Sequence, residues 1–101
     1  MVDVNIYWTN TAVKQRNYIL KYWGKHNNSN QYSIKLKLEI EKKTDLLKTN
    51  PKLGKKSDFK NTRILVMGHF SIIYQQLKNN IYITGFWDNR QDPAKFLQLL
   101  K

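Results

Sequence analysis

The chain has 101 residues, 41% of them hydrophobic and 13% aromatic, enough for one packed domain over 1–101 and too apolar for intrinsic disorder. Eighteen Lys and Arg against seven Asp and Glu give a net charge of +11, so the expected partner is anionic: nucleic acid, ribosome, membrane surface or acidic protein. The absence of Cys excludes disulfides, thiolate nucleophiles and Cys-ligated zinc; with no signal-peptide pattern in MVDVNIYWTN and no bilayer-length apolar run, a cytoplasmic protein without membrane contact is expected.

The opening alternates Val2, Val4, Ile6 and Trp8 with polar neighbours, the period of a half-buried strand. Thr9 is placed to cap a helix running to about residue 26, with Ala12, Ile19, Tyr22 and Trp23 as its apolar stripe and Leu20 at the edge. Arg16 falls inside that stripe, where its stem is expected to pack flat with its head in solvent. Gly24 and the following HNNSN close the element. In 29–48, Ile34, Leu36, Leu38 and Ile40 alternate as in a strand. The stretch is long, free of Gly and Pro, and rich in Lys, Leu and Glu, so helix is expected. Its inner side then carries Tyr32, Leu36, Ile40, Leu46 and Leu47, with Ile34 and Leu38 on the other.

NPKLGKKSD is the strong punctuation within the chain, and it sits in a lysine-rich stretch. Three β-like runs follow at 61–67, 70–77 and 81–88. Gly68-His69 makes the first turn and Lys78-Asn79-Asn80 the second, where Asn tolerates positive φ. Asp92-Pro93 starts a short helix through PAKFLQLLK. The order β-α-α-β-β-β-α describes an α+β fold, its helices on one face of a sheet that the first strand can join.

WTNTAVKQRNYILKYW, LKTNPKLGKK, TRILVMGHFSIIYQ and IYITGFWDNRQDP, in that order, resemble the RelE/ParE superfamily of toxins, the toxin halves of type II toxin–antitoxin (plasmid stabilisation) modules. The resemblance covers nearly the whole chain. It rests on a P-x-x-G loop, a strand-opening Arg, an aromatic-x-I-x-Y strand and a last strand ending in Arg. It implies a compact antiparallel sheet with an N-terminal helical hairpin, and a small, often acidic antitoxin whose C-terminal segment lies over the sheet edge and helices. Tyr74, Trp87 and Trp23 are the positions at which that segment is expected, although with Trp8 and Phe86 the same aromatics read more simply as core of the sheet and hairpin.

Two mechanisms divide the superfamily. RelE-like members are ribosome-dependent mRNA endoribonucleases; ParE-like members poison DNA gyrase. Of the nuclease groups, the middle-strand Arg corresponds here to Ser71, and the late Tyr to Phe96 or to nothing. The strand-opening Arg63 and strand-ending Arg90 are present. The reading therefore leans to a ParE-like gyrase inhibitor, with a RelE-like endoribonuclease as the alternative.

Cleavage of RNA needs a base, an acid and charge at the phosphate. Arg63 and Arg90 are the catalytic candidates in the nuclease alternative, since guanidinium matches phosphate oxygens bidentately. Lys52, Lys55 and Lys56, with Arg90, are the candidates for target or phosphate binding. Acid–base groups are scarce: His69 reads as a solvated turn residue, and His26 as a partner of a helix C-terminus. Asp88 reads as an ion-pair partner of Arg90, and Asp92 as an N-cap. Arg63 has a plainer role as partner of a helix carboxylate. Two distant His and no Cys exclude a metal site, and no Gly-rich phosphate loop exists, so no cofactor is expected.

Overall fold

The computed structural model describes residues 4–26 and 31–91, without the side chains of Lys25 and His26. Seven elements follow in order: β1 (Asn5–Trp8), α1 (Asn10–His26), α2 (Gln31–Thr49), β2 (Lys55–Lys56), β3 (Thr62–Met67), β4 (Phe70–Leu77) and β5 (Asn80–Asp88). The expected helix after Pro93 and the cap at Asp92 lie outside the described residues, as do Phe96 and the side chain of His26.

The strands form one sheet in the order β1-β5-β4-β3-β2. β3, β4 and β5 make the expected antiparallel meander, and β1 joins it at β5, running parallel with Ile6 opposite Ile81 and Trp8 opposite Ile83. The two-residue β2 was not legible, because two lysines carry no periodicity. Its register, Lys55 with Ile64 and Lys56 with Arg63, makes it the far edge of the sheet.

Local chemistry explains the joints. Thr9 caps α1, its hydroxyl accepting from the Ala12 N–H at 3.2 Å and donating to the Ile83 carbonyl at 3.1 Å, which fixes helix to sheet. At both hairpins, Met67↔Phe70 and Leu77↔Asn80, a two-residue loop carries positive φ at its first position: Gly68 at 62° and Lys78 at 56°. A positive φ in so short a loop lets the strands turn back on each other with their native twist. The second turn thus places Lys78, and not an Asn, in the left-handed region.

The register puts Leu65, Met67, Phe70, Ile72, Tyr74, Ile81, Ile83 and Phe86 on one face. Ala12 and Ile19 of α1 and Leu36, Ile40 and Leu47 of α2 cover it as one buried cluster. Each Leu, Ile, Met or Phe among them contributes about 1.5–3 kcal/mol when fully buried. Ile34 and Leu38 face outward as expected, at 58% and 55% exposure. Leu46 is the exception within the expected stripe, at 47% exposure, while Thr44 is buried. One residue turns the helix by about 100°, so when Leu47 faces the sheet Leu46 cannot.

Candidate functional site

The loop after α2 is held from beneath by two side chains. Tyr74, wholly buried, donates its phenol proton to the Pro51 carbonyl at 2.8 Å and accepts the Gly54 N–H at 2.8 Å. Arg63, opposite Tyr74 in the ladder, donates from Nη1 to the Gly54 carbonyl at 2.7 Å and the Lys52 carbonyl at 3.4 Å. The P-x-x-G segment is therefore fixed through its backbone, and Lys52, Lys55 and Lys56 project from it into solvent. Burial pushes the Tyr74 phenol above its ordinary pKa, against the opposing pull of the Gly54 N–H and the Arg63 charge.

This geometry decides between the readings of Tyr74, in favour of core, and corrects that of Arg63. Tyr74 has no exposed surface to offer an antitoxin, because its ring is core and its hydroxyl is committed to the loop. Arg63 pairs with backbone carbonyls, where a helix carboxylate was expected. Sequence could not show this, since backbone acceptors leave no mark on residue identity; Gly54 was the available signal. A Cβ there would stand 2.7 Å from the Tyr74 ring and 3.0 Å from the Ile64 carbonyl oxygen.

The second arginine closes the opposite end of the sheet. Arg90 donates from Nε and Nη2 to the two oxygens of Asp88 at 2.9 and 2.8 Å, and its backbone N–H donates to Asp88 Oδ1 at 3.0 Å. The guanidinium carbon lies 4.4 Å from the centre of the Trp23 ring and 5.5 Å from that of Phe70. Asp88 is buried, which alone would raise its carboxyl; the Arg90 hydrogen bonds and charge, with one from Trp23, outweigh burial and hold it below the ordinary carboxylate range. Asp88 is therefore the ion-pair partner expected of it. Ser71, at the middle-strand position, donates to Asn89 Oδ1 at 2.8 Å.

The expected sets thus divide. Lys52, Lys55, Lys56 and Arg63 share the β2 edge. Arg90 lies past the row that joins Phe70 to Asp88, whereas Arg63 lies in the row of Tyr74. Four residues of strand separate those rows, about 13 Å. The two arginines do not converge on one phosphate, and Arg90 does not join the lysines.

Of the remaining aromatics, Trp23 is half-buried, edge-on to Tyr22 at 5.3 Å and tilted against Tyr32 at 5.4 Å. Trp87 is half-buried on the other face of the sheet, opposite Ser71. Arg16 packs partly buried, its guanidinium carbon 4.6 Å from the centre of the Trp8 ring and its Nε donating to the exposed Asn17 Oδ1 at 3.3 Å. His69 is exposed at its turn. No helix among the described residues is long and apolar enough to cross a membrane.

Comparison with known proteins gives these arrangements a lineage. No curated protein matches the sequence. Among solved structures, one titled "Chromosomal ParDE TA system from P. aeruginosa" superposes with a TM-score of 0.73 at 18% identity, covering 84% of this chain and 95% of that one. At that identity the likeness shows a shared fold. Residues 6–93 match the family described as "ParE toxin of type II toxin-antitoxin system, parDE". A match over most of the length, from the first strand past Arg90, shows that the chain belongs to the ParE toxin family of type II toxin–antitoxin systems.

Proposed function

We propose that the protein is a growth inhibitor that acts by binding DNA gyrase, without cutting RNA, and that a cognate antitoxin neutralises it. The observation that carries this reading is the employment of both candidate catalytic arginines. Arg63 holds the loop backbone, and Arg90 is committed to Asp88 and Trp23, some 13 Å of strand away. The ionisable groups beside them are themselves committed, Asp88 to Arg90 and the Tyr74 phenol to the Pro51 and Gly54 backbone, and Ser71 stands where the nuclease branch carries a third cation. Family membership supports the toxin role, and the likeness to a ParDE toxin–antitoxin system supports an antitoxin.

In this reading the target meets the lysine ridge of Lys52, Lys55 and Lys56, presented on a loop that Tyr74 and Arg63 keep rigid. The half-buried Trp87 is the remaining expected antitoxin contact that keeps accessible surface away from the Arg90 cluster. The compartment is the cytoplasm, where gyrase works.

The test is a pair of assays on the purified protein. Inhibition of gyrase supercoiling on relaxed plasmid, with mRNA intact in a translating extract, is the expected result. Translation-dependent cuts in the message, with supercoiling unaffected, would overturn it in favour of the endoribonuclease.

A further inference from the structure

The helices cover one face of the sheet, and the strand residues that alternate with the core point to the other. On β1 these are Asn5 and Tyr7, flanking the packed Ile6, and on β5 their partners Asn80 and Tyr82. The Tyr7 and Tyr82 rings stack, with centres 5.5 Å apart and planes 23° from parallel. The stack ends at Tyr7: β1 is the edge strand, so no strand lies beyond its ring, and Tyr7 is 49% exposed. Next to it on the same face, Asn5 Nδ2 donates to Asn80 Oδ1 at 3.4 Å, an exposed pair of amides.

The charge around this stack is of one sign. Asp88 is the single carboxylate in the five strands, and it lies in the row of the core residue Phe70, bonded to Arg90. Lys78 stands in the turn just past the Leu77↔Asn80 row, at the tyrosine end of the sheet. Lys55, opposite Ile64, points to the open face four strand spacings from β1, about 19 Å. Both lysines are exposed, and neither has a carboxylate partner among the described residues.

We propose that the open face binds single-stranded DNA, a base continuing the tyrosine stack on the outer side of the Tyr7 ring while phosphates reach Lys78 and Lys55. Stacking on a tyrosine accepts any base, the Asn5 and Asn80 amides supply a donor and an acceptor to a base edge, and the lysines replace counterions of the backbone. A duplex keeps its bases stacked inside and has none to lay on Tyr7. An acidic peptide matches the charge but has no base to lengthen the stack, and a second copy would bring +11 against +11. The choice of DNA over RNA rests on the gyrase reading above, in which the target is an enzyme whose substrate is DNA.

The experiment measures binding of the full chain to short labelled oligothymidine by fluorescence anisotropy, beside oligouridine, the matching DNA duplex and polyglutamate. Tyr7→Phe keeps the ring; Tyr7→Leu removes the π-face but leaves apolar bulk against Tyr82, so the strand stays packed. The expected result is oligothymidine bound at least fivefold more tightly than duplex, at least fivefold weaker binding for Tyr7→Leu, and no change for Tyr7→Phe. Lys78→Asn, which suits the left-handed turn, should lower the slope of log affinity against log salt by about 0.7, one phosphate contact. Equal binding by Tyr7→Leu and Tyr7→Phe, or duplex bound as tightly as single strand, overturns the proposal. Tighter binding of oligouridine overturns it in favour of RNA, and polyglutamate bound as tightly as oligothymidine overturns it in favour of an acidic peptide. No arm contains gyrase, so the gyrase reading fails separately, on supercoiling that the protein leaves uninhibited.

Discussion

At the scale of single residues, the molecule spends its most polar buried groups on holding backbone in place. Tyr74→Phe leaves the ring packed but strips the Gly54 N–H and the Pro51 carbonyl of their partner. A loss of about 1–3 kcal/mol in denaturant unfolding is expected, the cost of buried groups left unsatisfied. The same phenol gives a pH signature. Its folded pKa is raised, so its contribution is complete below the unfolded value near 10 and declines as pH rises through the folded one. The unaltered protein should lose stability on that alkaline limb more steeply than Tyr74→Phe; equal slopes would contradict the assignment. Asp88 gives the mirror image. Its folded pKa is depressed, so its stabilisation is present above the ordinary carboxylate range and is lost as pH falls through the folded value. Acid unfolding monitored by fluorescence should show a shallower pH dependence below about pH 4 for Asp88→Asn than for the unaltered chain.

At the scale of elements, the two loop glycines are there for different reasons, and substitution separates them. Gly54→Ala drives a Cβ against the Tyr74 ring and a backbone oxygen, neither free to yield, so about 1–3 kcal/mol is lost and the Pro51 loop shifts. Gly68→Ala meets nothing within 4 Å and is opposed only by its φ of 62°, at about 1–2 kcal/mol with the loop unchanged. Thermal melts, with NMR shifts of the Lys52 and Lys55 amides, distinguish the two. The elements also show how far sequence carried. The 29–48 stretch alternated like a strand and folded as a helix, because length and Lys/Leu/Glu content outweighed a short alternation. The meander was legible because the period of two persists through β3 to β5 and turn residues separate the runs. β2 was invisible, being created by its register with β3 and not by its own residues. The site was less legible than the fold for the same reason. Arg63 and Tyr74 act on carbonyls and an N–H, which every residue possesses, so only the three-dimensional approach of β3 and β4 to the loop reveals their roles. The Asp88–Arg90 pair, two residues apart with opposite charges, was readable directly.

At the scale of the whole molecule, a rigid sheet carries a hairpin of helices on one face and a lysine ridge at one edge. A toxin of this kind needs one surface for its target and another for its restraint, and the ridge is the candidate for the first. The central claim is that the chain arrests growth by engaging gyrase and leaves message intact. The most direct measurement is induced expression in a bacterium, following nucleoids, the DNA-damage response and primer extension on abundant messages. The account predicts growth arrest with an induced damage response and uncut mRNA. Rapid, translation-dependent cleavage of those messages would contradict it and return Arg63 and Arg90 to catalysis.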